Sequence, residues 1–228
     1  RTPEAQELIH SIRDLSLVDQ TLVGGVAADY TDSQDAISQT LPWAFGWIAL
    51  SVLVLIFIFT GSIILPIKAV ILNVLSLAAT MGVLTWVFVD GNLQWLVGSF
   101  TETGTLDTSI VILIAVVVFG LSMDYELFLL SRIREEHLAG KSNVDSVALG
   151  LQRSGRIITA AAAILAFVFA AFITSGVTSI KTMGFGVAFA IILDATIVRG
   201  LLVPALMRLM GERNWWAPKW MQRFTLHH

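Results

Sequence analysis

The stretch Thr108-Ser-Ile-Val-Ile-Leu-Ile-Ala-Val-Val-Val-Phe-Gly120-Leu-Ser-Met-Asp124-Tyr125-Glu126-Leu-Phe128-Leu-Leu130 decides the fold. Before Asp124 it is almost wholly apolar, and it is long enough for a bilayer core about 30 Å thick, which takes roughly 20 apolar residues per helix. Four other runs of this kind lie at about 43–64, 67–89, 156–176 and 183–210. With 56% hydrophobic and only 14% charged residues among 228, against roughly 25% charged in soluble domains, the chain reads as an all-α polytopic membrane protein with five transmembrane helices. A net charge of −3 gives no sign of a nucleic-acid binder, and the lack of cysteine excludes disulfides and thiolate metal sites.

Working outward, the expected domains are residues 1–42, a transmembrane domain 43–210 and a tail 211–228. In the first, Ala5, Leu8, Ile9, Ile12 and Leu15 recur at helical spacing behind Thr2-Pro3. Residues 21–26 read as a short strand, and Ser33 to Thr40 as a helix closed by Leu41-Pro42. This α-β-α segment is too small to bury a core alone, and Arg1 opens mid-domain, so a fragment of a longer chain is expected. Placing residues 1–42 outside puts Lys68, Arg132, Arg134, Lys141, Arg153, Arg156, Arg208, Arg213, Lys219 and Arg223 on the cytoplasmic side and only Arg1, Arg13 and Lys181 on the other. That asymmetry is of the kind that sets topology. Trp43 and Trp47 suit one interfacial belt, and Trp215, Trp216 and Trp220 the other. The segment Trp215 to Arg223 is either an interfacial helix or a frayed tail.

Within the quoted stretch, Asp124 is the costly residue. An aspartate at a helix centre in a bilayer costs about +2.5 to +3.5 kcal/mol and persists only facing a bundle interior or a watery cavity. An acid that gains and loses a proton in such a place suits proton-coupled transport, whereas a structural clamp between helices is the plainer alternative. Val117, Gly120, Leu121, Phe128 and Ser131 share the Asp124 side of the helix. Tyr125 sits about 100° round and is placed to hydrogen-bond a neighbouring carboxylate.

Asp194 is a second acid inside a span, with Arg199 five residues on. On an α-helix five residues is about 140° of rotation, so the two are not expected to pair well. Each then addresses a different neighbour, or Arg199 snorkels to the interface. Glu126 faces away from Asp124 near Arg132, where an ion pair is expected. His10 and His137 lie in polar segments and are expected to be solvated. Gly140-Lys141-Ser142 has glutamate at 135 where a phosphate loop requires glycine, so the nucleotide-binding signature fails. Small residues gather at Ala160 to Ala163, Gly184, Gly186, Ala188 and Ala190, which suits close helix approach.

Gly120 to Arg132, then Gly155-Arg-Ile-Ile-Thr-Ala-Ala, then Leu193-Asp194-Ala-Thr-Ile-Val-Arg199, then Trp215-Trp216-Ala-Pro218 stand in the order of one known family. On these motifs the chain resembles the MmpL family of the resistance-nodulation-division superfamily. The resemblance implies the second half of a twelve-helix bundle, with residues 1–42 as the end of a periplasmic porter domain. It implies a second Asp-Tyr pair in a missing N-terminal half, and a proton relay through Asp124 and Tyr125 with Asp194 and Arg199 as accessory residues. Phe128 takes the place of an aromatic that gates the relay and contacts inhibitors. The implied activity is export, not enzymatic catalysis. Protons are the coupling ion, with no other cofactor, and the cargo is a lipid or glycolipid of the trehalose monomycolate type, moved across the inner membrane. A monomer and a trimer both fit. The alternatives are export of another lipid, a siderophore or a drug, or a non-transporting scaffold or sterol-sensing relative.

Overall fold

A computed structural model describes residues 3–14, 23–100, 104–218 and 221. All regular structure among them is helical: α1 (Pro3–Asp14), α2 (Val26–Thr60), α3 (Ile64–Leu84), a short α4 (Gln94–Val97), α5 (Thr108–Leu138), α6 (Asn143–Ala171), α7 (Thr178–Leu193) and α8 (Val203–Met210). Five continuous helical stretches are long and apolar enough to cross a membrane: Val26–Thr60, Ile64–Val89, Thr108–Leu138, Asn143–Thr174 and Thr178–Trp215. The all-α polytopic expectation holds.

The α/β character expected of the N-terminal segment does not. Residues 21 and 22 lie outside the described residues, Val23 to Gly25 are irregular, and α2 begins at Val26. It then runs unbroken past Leu41 and through Pro42 to Thr60. Proline deprives a helix of one hydrogen bond, yet an apolar segment in a bilayer has every reason to stay helical, since each backbone group must be satisfied within it. The strong helical run after Trp43 outweighs one missing donor, and the polar residues before Pro42 are good enough helix formers to continue it.

The chain divides into two compact units, Arg1–Leu50 and Ser51–His228. In the first, Arg13 on α1 forms a two-pronged ion pair with Asp32 on α2, its Nη2 donating to Oδ2 at 3.0 Å, while His10 lies 3.7 Å from Asp35.

The second unit holds the helical bundle. α5 packs on α6 and α7, α6 on α7, and α3 on α5 and α7. Its core is apolar, with Leu84, Val87, Ile114, Val187 and Ala190 fully buried. Outward-facing residues are apolar too, Phe167 being 79% and Ile164 65% exposed, as suits helices bathed in lipid. With lipid as apolar as the core, close packing has to hold the bundle together, and glycines permit it. A Cβ at Gly184 would lie 2.6 Å from the Phe169 carbonyl oxygen, and one at Gly150 would lie 2.9 Å from the backbone of Ile133. The small-residue expectation thus holds at Gly184, while Gly150 is an additional close approach between α6 and α5.

Local signals place the helix ends. Asp107 caps α5, accepting from the Ser109 N–H at 2.9 Å. Gly140, at φ 86°, makes the turn into Ser142, which caps α6 by accepting from the Asp145 N–H at 3.2 Å and donates to its carboxylate at 2.6 Å. Gly140-Lys141-Ser142 is therefore a helix-start turn. One end of the bundle, called here the basic end, gathers the α2–α3 turn, the Arg134 end of α5 and the segment after α8. Arg134 donates to the Phe59 carbonyl, and the Ser62 hydroxyl donates to the Asn214 carbonyl.

Candidate functional site

Two segments depart from α geometry by widening into π turns, Thr85–Val89 and Asp194–Leu202. The second carries the site. At its end the Val203 N–H bonds the Val198 carbonyl, five residues back. Pro204, in the first turn of α8, offers no N–H and crowds the turn before it, which a wider turn relieves. In such a turn the residue five places on comes round above the first. Asp194 and Arg199 are therefore brought together, and Arg199 Nη2 forms an ion pair with Asp194 Oδ2. This corrects both expectations for Arg199: it neither addresses a different neighbour alone nor snorkels to the interface. It is only 3% exposed, and Asp194 6%.

α5 completes the cluster. The Ser122 hydroxyl donates to Asp194 Oδ1 at 3.1 Å, and Arg199 Nη2 donates to the Ser122 carbonyl and, at 3.2 Å, to its hydroxyl. The Arg199 guanidinium carbon stands 5.1 Å from the centre of the Tyr125 ring, a cation-π arrangement. Ser122, Tyr125, Asp194 and Arg199 line a small cavity with room for about one water molecule, walled by Val118, Ile158, Ala162 and Ile191. Among the described residues no set of acids and histidines is grouped to hold a metal ion.

Three of the four expected relay residues thus meet in one cluster, Asp194 and Arg199 buried and Tyr125 half-buried against them. Asp124 is not in it. It is exposed, on a stripe with Ser109, Leu113, Val116 and Gly120, all exposed. Phe128 is half-buried, with the Arg132 guanidinium 5.6 Å from its ring centre, toward the basic end.

Several residues were misjudged or missed by sequence reasoning. Glu126 does not pair with Arg132, which bonds Glu135 at 2.9 Å; it turns inward and is 5% exposed. The reason is rotation: Glu126 follows Ser122 by one turn and shares its inward face. Lys68, one of the basic residues assigned to the cytoplasmic side, is 7% exposed. His137 is not solvated but stacks on Trp215, with ring centres 4.2 Å apart. Lys181 is clasped by the carbonyls of Val97 at 3.1 Å and Ser99 at 3.0 Å. Ser122 was the nearest miss, since its place one turn before Glu126 and two residues before Asp124 was plain from the sequence.

Such a set, with several long apolar helices around a buried acid-arginine pair, defines a multi-pass membrane protein with ionisable groups inside its bundle. Comparison with known proteins gives the family: residues 2–226 match the MMPL family model, and the chain belongs to that family. It is 43% identical over 221 residues to the membrane protein SCO6666 of Streptomyces coelicolor, covering 97% of this chain and 31% of that protein. It is 44% identical over 203 residues to the trehalose monomycolate exporter MmpL3 of Mycobacterium tuberculosis, covering 89% and 21% respectively. To the mycolic acid-containing lipids exporter MmpL11 of Mycolicibacterium smegmatis it is 43% identical over 201 residues, covering 88% and 21%. The chain thus spans between a fifth and a third of the length of these curated relatives.

Proposed function

We propose that this chain supplies half of the proton-driven engine of a lipid exporter, working across the inner membrane with residues 1–42 on the periplasmic side and the basic end in the cytoplasm. The observation that carries the reading is the cluster of buried Asp194, Arg199 and Ser122 with half-buried Tyr125, next to an acid, Asp124, that is exposed among the described residues. An aspartate on lipid would be costly, so its helix face suits contact with another protein surface, and a second Asp-Tyr pair there completes a relay. A proton crossing 100 mV contributes about 2.3 kcal/mol and requires a group that titrates as it faces each side in turn. Asp124 takes this role. Tyr125, adjacent in sequence and lying on Arg199, links its charge state to the Asp194–Arg199 pair. The names of two relatives, exporters of trehalose monomycolate and of mycolic acid-containing lipids, support a glycolipid or long-chain lipid cargo.

The test is Asp124→Asn in the full-length protein, reconstituted in vesicles with a pH gradient. Export is expected to be abolished while insertion and thermal unfolding stay as in the wild type. Undiminished export by the variant, or wild-type export that ignores an uncoupler, refutes the reading.

A further inference from the structure

Six of the eight buried side-chain polar atoms without a hydrogen-bond partner among the described residues belong to α3, α5 and the π segment, and α3 packs on both of the others. They are Lys68 Nζ, both amide atoms of Asn73 and Ser76 Oγ on α3, Glu126 Oε1 on α5, and Arg199 Nη1 on the π segment. The five residues are 7%, 1%, 3%, 5% and 3% exposed, so bulk water does not reach them. Buried polar atoms are nearly always bonded, and at membrane depth each orphan costs several kcal/mol. Donors and acceptors gathered this way are what bound water satisfies, each molecule making about three hydrogen bonds.

The residues are also ordered in depth. Ser122, which holds Asp194 and Arg199, is followed one helical turn toward the basic end by Glu126. Lys68 lies close to the start of α3, whose preceding turn is tied to Asn214 at that end. The charges that act on Glu126 are those of Arg199 and Asp194 from the π segment and Lys68 from α3. From α6, Arg153 is engaged with Glu136 instead.

We propose that this seam holds a chain of bound water and that Glu126, backed by Lys68, is the ionisable station through which protons pass between the Asp194–Arg199 cluster and the basic end. A proton leaves the Asp194 carboxyl for water as an O–H bond forms there. Water then passes a proton to a Glu126 carboxylate oxygen, and the next water carries it past the Lys68 amine. No electron changes hands. This inference rests on the proton-coupled reading above and adds its inner exit.

The experiment uses full-length protein in proteoliposomes, with a trapped dye reporting proton uptake at a series of pH values. Glu126→Gln keeps the shape but cannot titrate, and is expected to slow gradient-driven proton uptake at least tenfold, while Glu126→Asp restores part of the rate with a displaced pH midpoint. Wild-type export indifferent to the gradient would refute the proposed function itself. Gradient-driven wild-type uptake with an unchanged rate and pH profile in Glu126→Gln would overturn this inference alone. Radiolytic hydroxyl labelling of the unmodified protein tests the water independently of any variant. After each yield is normalised to the intrinsic reactivity of its residue type, Met123, buried one turn from Glu126, should label well above Ile114 and Val187 of the apolar core, and equal normalised labelling would overturn the water chain.

Discussion

The two sides of α5 could hardly differ more. One side carries Ser122, Met123, Glu126, Leu129, Leu130 and Ile133, all buried, and meets the arginine and aspartate of the π segment. The other carries Ser109, Leu113, Val116, Gly120 and Asp124, all exposed. The inward side is polar where it is most enclosed, and its polar groups are held by partners or gathered with other orphans. Beyond Ser109 at its start, the outward side is apolar up to a single acid. Ionisable groups on the inward side meet partners on neighbouring helices, whereas Asp124 is exposed among the described residues.

The largest way to break the comparison is at the inward side. Arg199→Met would leave the Asp194 carboxylate buried without its cation, an effect of about 3–5 kcal/mol. Thermal unfolding in detergent should show it, and replacing Asp194 with leucine in the same molecule should recover much of the loss. If the single variant unfolds like the wild type, the pair is not the anchor described here.

Glycines sharpen the contrast at intermediate size. Gly150→Val forces a side chain into the backbone of Ile133, and overpacking of this kind costs about 1–3 kcal/mol. Gly120, on the outward side, has none of the described residues within 4 Å of its would-be Cβ. Gly120→Leu should therefore be harmless if lipid covers that side. In the full-length protein it is expected to lower the unfolding temperature and impair export, because another helix closes over it. The smallest expected effect is that of Ser122→Ala, which removes the hydroxyl's bond to Asp194 and the one it accepts from Arg199, at about 1 kcal/mol; it is measurable by the same melts, and a much larger loss would mean that the hydroxyl organises the whole cluster.

Much of this was legible in the sequence. Five apolar runs fixed five membrane helices, and Asp124, Tyr125, Asp194 and Arg199 stood out because charge is rare at such depth. Three kinds of information were hidden. The N-terminal segment has the punctuation of a broken α-β-α unit, but a helix that starts at Val26 and enters an apolar span overrides one proline. The pairing of Asp194 with Arg199 could not be derived from a 3.6-residue turn, because the turn there is wider. Lys68, Asn73, Ser76 and Glu126 sit where either an interface or a bundle interior was consistent with the sequence, and only the packing of α3 on α5 and α7 resolves which.

The π turn at Asp194 has a mechanical corollary. A wide turn stores one surplus residue relative to a regular helix, and the surplus can be handed along the chain without changing which groups lie beyond it. Were Asp194–Leu202 to tighten, the guanidinium would be carried off the carboxylate by more than a third of a revolution. Screw position and charge separation are then a single coordinate, so whatever neutralises Asp194 loosens the clasp that keeps this stretch unwound.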